Sequence, residues 1–122
     1  MKWVLHGNLS PAVADALKRH EHDPRAIDEL QIAPDATARD FFKAAQTKQL
    51  DLITTDGAMI NAMFEEHISF NRSVVYLQLE GGDVEQDDAI DRLFKRYKRL
   101  SPGRLYTVTG SRVKIRQLPG KK

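Results

Sequence analysis

Along this chain, short runs of apolar and β-branched residues alternate with stretches whose apolar residues recur at helical spacing. No other feature restricts the fold as much. Residues 2–5 form the first strand-like run. Ser10 and Pro11 then open a helix, Ser as N-cap and Pro in the first turn, with Val13, Ala16, Leu17 and His20 inward. Residues 24–30 read as a second, weaker strand or extended segment. A helix from Thr37 carries Ala38, Phe41, Phe42 and Ala45 on one side. Residues 50–54 form a strand, and Asp56 caps a helix with Met59, Ile60, Met63, Phe64 and His67 inward. Residues 73–78 form another strand. The helix over residues 87–100 has Ile90, Leu93, Phe94 and Tyr97 at i, i+3, i+4 and i+7. Residues 104–109 and 112–118 pair as a hairpin through Gly110-Ser111. Strands that alternate with helices of about 10–15 residues need crossovers. The expected fold is therefore a three-layer α/β/α single domain over residues 1–122. Its central sheet is mostly parallel and closes with a C-terminal antiparallel hairpin.

Composition narrows the function classes. A hydrophobic share of 41% supports a packed core, and the absence of cysteine excludes a disulfide scaffold and a thiolate metal site. No apolar run reaches ten residues, so the expectation is a cytoplasmic protein without signal peptide or membrane span. The net charge of +2 conceals a strong division. The first 91 residues hold eight bases against all seventeen acids, a balance of −9, and residues 92–122 hold eleven bases and no acid. Such a division fits a surface that meets phosphate; it fits equally a fold whose two halves neutralise each other. No glycine-rich phosphate loop and no Gly-x-Ser-x-Gly elbow is present.

In mostly parallel sheets, ligands bind outside the carboxyl ends of strands where strand order reverses. The segments that follow the first and third strands, His6-Gly7-Asn8 and Thr55-Asp56-Gly57, are thus the ones to inspect. Around them the sequence resembles the small PIN-like proteins, relatives of the PIN-domain toxin nucleases. That family has an apolar strand ending Asp-Glu-Asn-Leu before a Pro-led helix, where this chain reads Leu5-His6-Gly7-Asn8-Leu9-Ser10-Pro11. A family helix start of Ser-Asp-Glu-Glu corresponds to Thr37-Ala38-Arg39-Asp40-Phe41. A strand ending Thr-Arg-Asp-x-Asp-Phe corresponds to Thr54-Thr55-Asp56-Gly57-Ala58-Met59. A basic last strand corresponds to Arg112-Val113-Lys114-Ile115-Arg116.

The resemblance implies metal-dependent hydrolysis of RNA, with Mg²⁺ or Mn²⁺ on carboxylates gathered from several strand ends. It also implies a toxin–antitoxin setting with an antitoxin protein as partner, and a homodimer. Three acids of the family pattern are replaced here, by His6, Gly7 and Ala58. Asp40 and Asp56 remain as catalytic and metal-binding candidates, with His6 and Asn8 completing the ligand set. Imidazole beside carboxylate shifts the preferred ion toward Mn²⁺, Zn²⁺ or Fe²⁺.

Two functions follow. One is a ribonuclease with an altered metal site; the other is a degenerate relative that binds RNA or a protein without cutting. Asp40 and Asp56 also stand where helix caps belong. The RNA-binding candidates are Lys95, Arg96 and Arg99 on the last helix, with Arg104, Arg112, Lys114 and Arg116 on the hairpin. The last three share one strand face, as they would also on a charge-protected edge strand. His20 and His67 are expected to pack in the core, and His22 is given no role.

Overall fold

A computed structural model describes residues 1–119; Lys121 and Lys122, counted in the charge division, lie outside it. Strand β1 (Lys2–His6) leads to helix α1 (Pro11–Arg19), β2 (Asp23–Arg25) and a 3₁₀ turn (Ile27–Leu30). Then come α2 (Ala38–Thr47), β3 (Asp51–Thr54), α3 (Gly57–Glu65), β4 (Val74–Leu77), α4 (Asp83–Arg96), β5 (Arg104–Val108) and β6 (Val113–Gln117). The six strands form one sheet in the order β2-β1-β3-β4-β5-β6, parallel from β2 to β5 and antiparallel at β6. The expected α/β class and closing hairpin are present. Among the described residues no helix is long and apolar enough to cross a membrane.

Local chemistry sets the element ends. The Ser10 hydroxyl accepts from the Ala12 amide, and Pro11 sits at the first helical position. Thr37 and Asp40 make a reciprocal capping box at α2. The Asp56 carboxylate accepts from two amides at the start of α3. Two elements differ from the sequence expectation. Only Pro24 and Arg25 of the expected segment at 24–30 join the sheet edge, together with Asp23, since Pro24 lacks a donor and the chain then winds into a 3₁₀ turn. Helix α4 starts four residues earlier than expected, at Asp83, with acids in its first turn that suit the helix dipole. It ends at Arg96, where Tyr97 turns extended.

Alternation along the strands divides the core into two layers. Trp3, Ile53, Val75 and Tyr106 face α1 and α4. Val4, Leu52, Val74 and Leu105 face α2 and α3. This division fixes the hand of each crossover. The β3–α3–β4 and β4–α4–β5 units both step one strand in the same direction across the sheet, yet their helices lie on opposite faces. They are therefore of opposite hand. The β1–α1–β2 and β2–α2–β3 units share the hand of β3–α3–β4, so α4 is the exception to the usual uniform chirality. What holds it there is packing against α1: Ala89, Ile90, Leu93 and Phe94 bury against Val13, Ala16, Leu17 and Trp3. Arg19 binds Asp87 at 2.7 Å and His20 binds Asp91 at 2.8 Å across the same seam. As a result, no helix follows α3 over the β4–β5–β6 end of the other face.

Two histidines depart from expectation, and a third, given no role, is buried. His67 lies beyond the end of α3, in the left-handed region at φ 52° and exposed, and Ile68 takes the buried place. His20 ends α1 and pairs with Asp91 rather than packing in the core. His22 is buried: its Nδ1 accepts from the indole of Trp3 at 3.1 Å, and its ring lies 4.2 Å from that of Phe94.

Candidate functional site

The crossover from β1 leaves toward α1 and that from β3 toward α3, on opposite faces, so the strand order reverses between these neighbours. A crevice opens at their carboxyl ends, as such a reversal requires. His6 and Thr54 are register partners there. The fully buried Thr54 hydroxyl accepts from the Asp56 amide at 2.9 Å and bonds His6 Nδ1 at 2.9 Å. The His6 ring stands edge-on to Phe41, with centroids 5.0 Å apart. Burial lowers the His6 pKa below its ordinary 6.5, against a smaller upward pull from Asp56. The imidazole is thus mainly neutral at pH 7, held through Nδ1, with Nε2 left for the cleft.

That cleft has a volume of about 800 Å³. Its floor is His6; Phe41 and Met59 form walls from α2 and α3, and Ile27, Asp28 and Ile32 close the third side. Asp56 lies on its rim. Asp56 Oδ1 is taken up by the amides of Ala58 and Met59, at 3.0 and 3.3 Å, which leaves Oδ2. No lysine or arginine lines the cleft.

The other candidates fall outside it. Asp40 Oδ2 accepts from the Thr37 amide at 3.3 Å, and Asp40 borders a separate depression with Lys43 and Lys48. Its place is explained by capping. Asn8 acts through its backbone: its N–H donates to the Thr55 hydroxyl at 2.8 Å and its carbonyl accepts from Gln86 Nε2 at 3.1 Å. Gln86 Oε1 also accepts from the Ser10 amide at 2.8 Å. Buried on α4, Gln86 therefore clamps the β1–α1 loop from both sides. Sequence reasoning passed over it, although a glutamine four residues before Ile90 on an otherwise apolar helix face was the available signal. Gly7 sits at φ +91°, and a Cβ there would collide with the Thr55 hydroxyl. The loop thus has no room for the carboxylate that the family pattern puts at this position.

His6 and Asp56 come together, but among the described residues no three His, Asp or Glu side chains gather as a metal ligand set. One imidazole and one half-committed carboxylate do not fit the several carboxylates that a Mg²⁺ or Mn²⁺ nuclease site needs.

The basic residues divide into two groups. Lys114 and Arg116 lie on β6 on the face of α2 and α3, as the register with Thr107 and Leu105 shows, and Arg112 precedes the strand, its amide donating to the Thr109 hydroxyl in the hairpin turn. The Arg116 guanidinium lies over the Phe64 ring at 3.7 Å. None of the three has an ion-pair partner among the described residues. Beside them the carboxyl half of the sheet face is only partly covered: Tyr76 is half-buried with its hydroxyl against Gly57 of α3, Thr107 is half-buried and Gln78 exposed. Lys95 and Arg96 lie at the far end of α4, on the opposite layer, and Arg99 lies three residues beyond its end. Lys95 pairs with Asp91 at 3.0 Å, and Arg96 lies over the Tyr97 ring. Arg104 starts β5 with its side chain on the α4 side of the sheet. The expected single basic surface is therefore two surfaces. No family model, curated protein or solved structure matches this chain.

Proposed function

We propose that this domain is a single-stranded RNA-binding module, related to PIN-like nucleases but working by binding. The observation that carries the proposal is the partly exposed carboxyl half of the β4–β5–β6 face, bordered by cations unpaired among the described residues. Lys114 stands there on β6, Arg116 follows two residues on toward the amino end of β5, and Arg112 precedes the strand at the hairpin turn, so successive cations are about 6.8 Å apart along extended chain. That spacing suits successive phosphates of an extended strand. The Tyr76 ring and the Phe64–Arg116 pair offer faces for bases. The nuclease alternative needs acids beside His6 and Asp56, and Asp40 is committed to its cap instead.

Fluorescence anisotropy with a labelled single-stranded RNA tests this reading. Binding is expected to persist in EDTA and to weaken with salt. Each lost phosphate contact should reduce the log–log salt slope by about 0.7. Replacing Arg112, Lys114 and Arg116 together by alanine should therefore lower it by about 2. The same treatment of Lys95, Arg96 and Arg99 should leave it unchanged. Equal effects of the two triple variants would remove the assigned surface. RNA cleavage in Mg²⁺ or Mn²⁺ that disappears in Asp56→Asn would replace the binding reading with the nuclease one.

A further inference from the structure

The cleft over His6 has a chemistry opposite to that of the basic stripe, and the strand register joins the two. His6, Thr54, Tyr76, Thr107 and Lys114 are successive register partners on five neighbouring strands. Their side chains stand in one transverse row on one face, next to the apolar row Val4, Leu52, Val74 and Leu105. With strands about 4.8 Å apart, the polar row runs about 19 Å from the floor of the cleft to the cationic edge. A phosphate placed in the cleft would meet the carboxylates of Asp28 and Asp56 and no cation. A flat ring with N–H donors on its edge meets a better match. Phe41, Met59 and Ile32 supply apolar walls, and the carboxylates of Asp28 and Asp56, the latter through Oδ2, supply acceptors. The volume of about 800 Å³ accommodates a base with its ribose.

We infer that the cleft receives one amino-bearing nucleobase of a bound RNA strand, adenine, cytosine or guanine, and turns uracil away. This rests on the RNA-binding reading above. An exocyclic amine donates to the carboxylates, whereas uracil presents a carbonyl oxygen on each side of its single N–H and is repelled by them. The phosphates on either side of the held base run along the polar row toward Lys114 and Arg112, away from the acids.

Two measurements separate this inference from the reading it rests on. The first compares eight-nucleotide oligomers of A, C and U on the wild type and on the double variant Asp28→Asn, Asp56→Asn. Asn keeps the α3 cap, because its amide oxygen still accepts from the helix, and it sets an amide donor among the cleft's acceptors. Wild type should prefer the A and C oligomers over U by about tenfold. The double variant should lose or invert that preference. The Arg112, Lys114 and Arg116 triple variant should weaken all three oligomers alike and keep the ratio. Equal wild-type affinity for the three oligomers overturns the cleft assignment and leaves the binding module standing. The second measurement follows the His6 ring by NMR during titration with free adenosine, cytidine and uridine, which do not need the stripe. Shifts with adenosine and cytidine but not uridine, in a protein that fails to bind RNA, would keep the cleft and remove the module. No nucleoside effect together with no RNA binding overturns both.

Discussion

Replacing His22 by Asn isolates one titration in the acid stability of this fold. His22 Nδ1 accepts from Trp3 Nε1, which can only donate, so the imidazole must carry its proton on Nε2 and stay neutral. Burial, then the nearby N-terminal ammonium and His20, lower its pKa from 6.5 to about 4. The unfolded chain thus binds a proton at this residue between about pH 6.5 and 4 that the folded protein refuses. Folding stability falls as pH falls through that window and is unaffected above it. Between pH 7 and pH 4.5 the loss from this residue alone is roughly 2 kcal/mol. Asn at position 22 presents an amide oxygen in place of Nδ1 and does not titrate. It gives up the ring contact with Phe94, about 1 kcal/mol, at every pH alike. Urea unfolding at the two pH values should therefore show a wild-type decline about 2 kcal/mol steeper than that of His22→Asn. The acid titrations common to both proteins cancel in the comparison. Fluorescence of Trp3, the chain's single tryptophan, should change with a midpoint near pH 4 in wild type and show no such step in the variant. Parallel stability curves would refute the neutral, hydrogen-bonded His22.

Two shorter predictions concern the β1–α1 loop. Gly7→Ala forces a side chain into the left-handed region and onto the Thr55 hydroxyl, so it should cost at least about 1–2 kcal/mol by denaturant unfolding; an unchanged midpoint would mean that the loop is free to take another path. Gln86→Leu removes both arms of the clamp and leaves the Ser10 amide and the Asn8 carbonyl without their partner. It should lower stability by about 1–3 kcal/mol and speed amide exchange at Ser10, and normal protection there would count against the clamp.

What could be read from the sequence was local. Ser10, Thr37 and Asp56 announce their helices because a cap depends on side-chain chemistry within three residues. The mostly parallel sheet follows from the alternation of elements. What could not be read depends on distant partners. His22 is hidden because its partner Trp3 lies nineteen residues away on another element. His67 was misplaced because helical spacing extrapolates past Glu65, whereas the chain turns left-handed there and buries Ile68. Asp40 fitted two roles because a capping box and an acid at a helix start share one spacing, and only the bond to the Thr37 amide separates them. The basic residues seemed to form one surface because sequence proximity does not reveal the face to which α4 crosses.

That crossover also explains how the charge division survives folding. Helix α4 carries Asp83, Glu85, Asp87, Asp88 and Asp91, and its start lies at the carboxyl ends of the strands. Had α4 crossed on the α3 side, with the usual hand, these acids would stand over the β4–β5 face beside Arg112 and Lys114 and cancel their field. On the α1 side they meet Arg19, His20, Arg92 and Lys95 instead. The sheet then stands between the acids and the β6 stripe, so acid and base lie on different layers although they are close in sequence. A chain with nearly balanced total charge can in this way present an unneutralised cationic row on one face. The hand of a single crossover, fixed by the packing of α4 on α1, is what keeps that row clear of those acids.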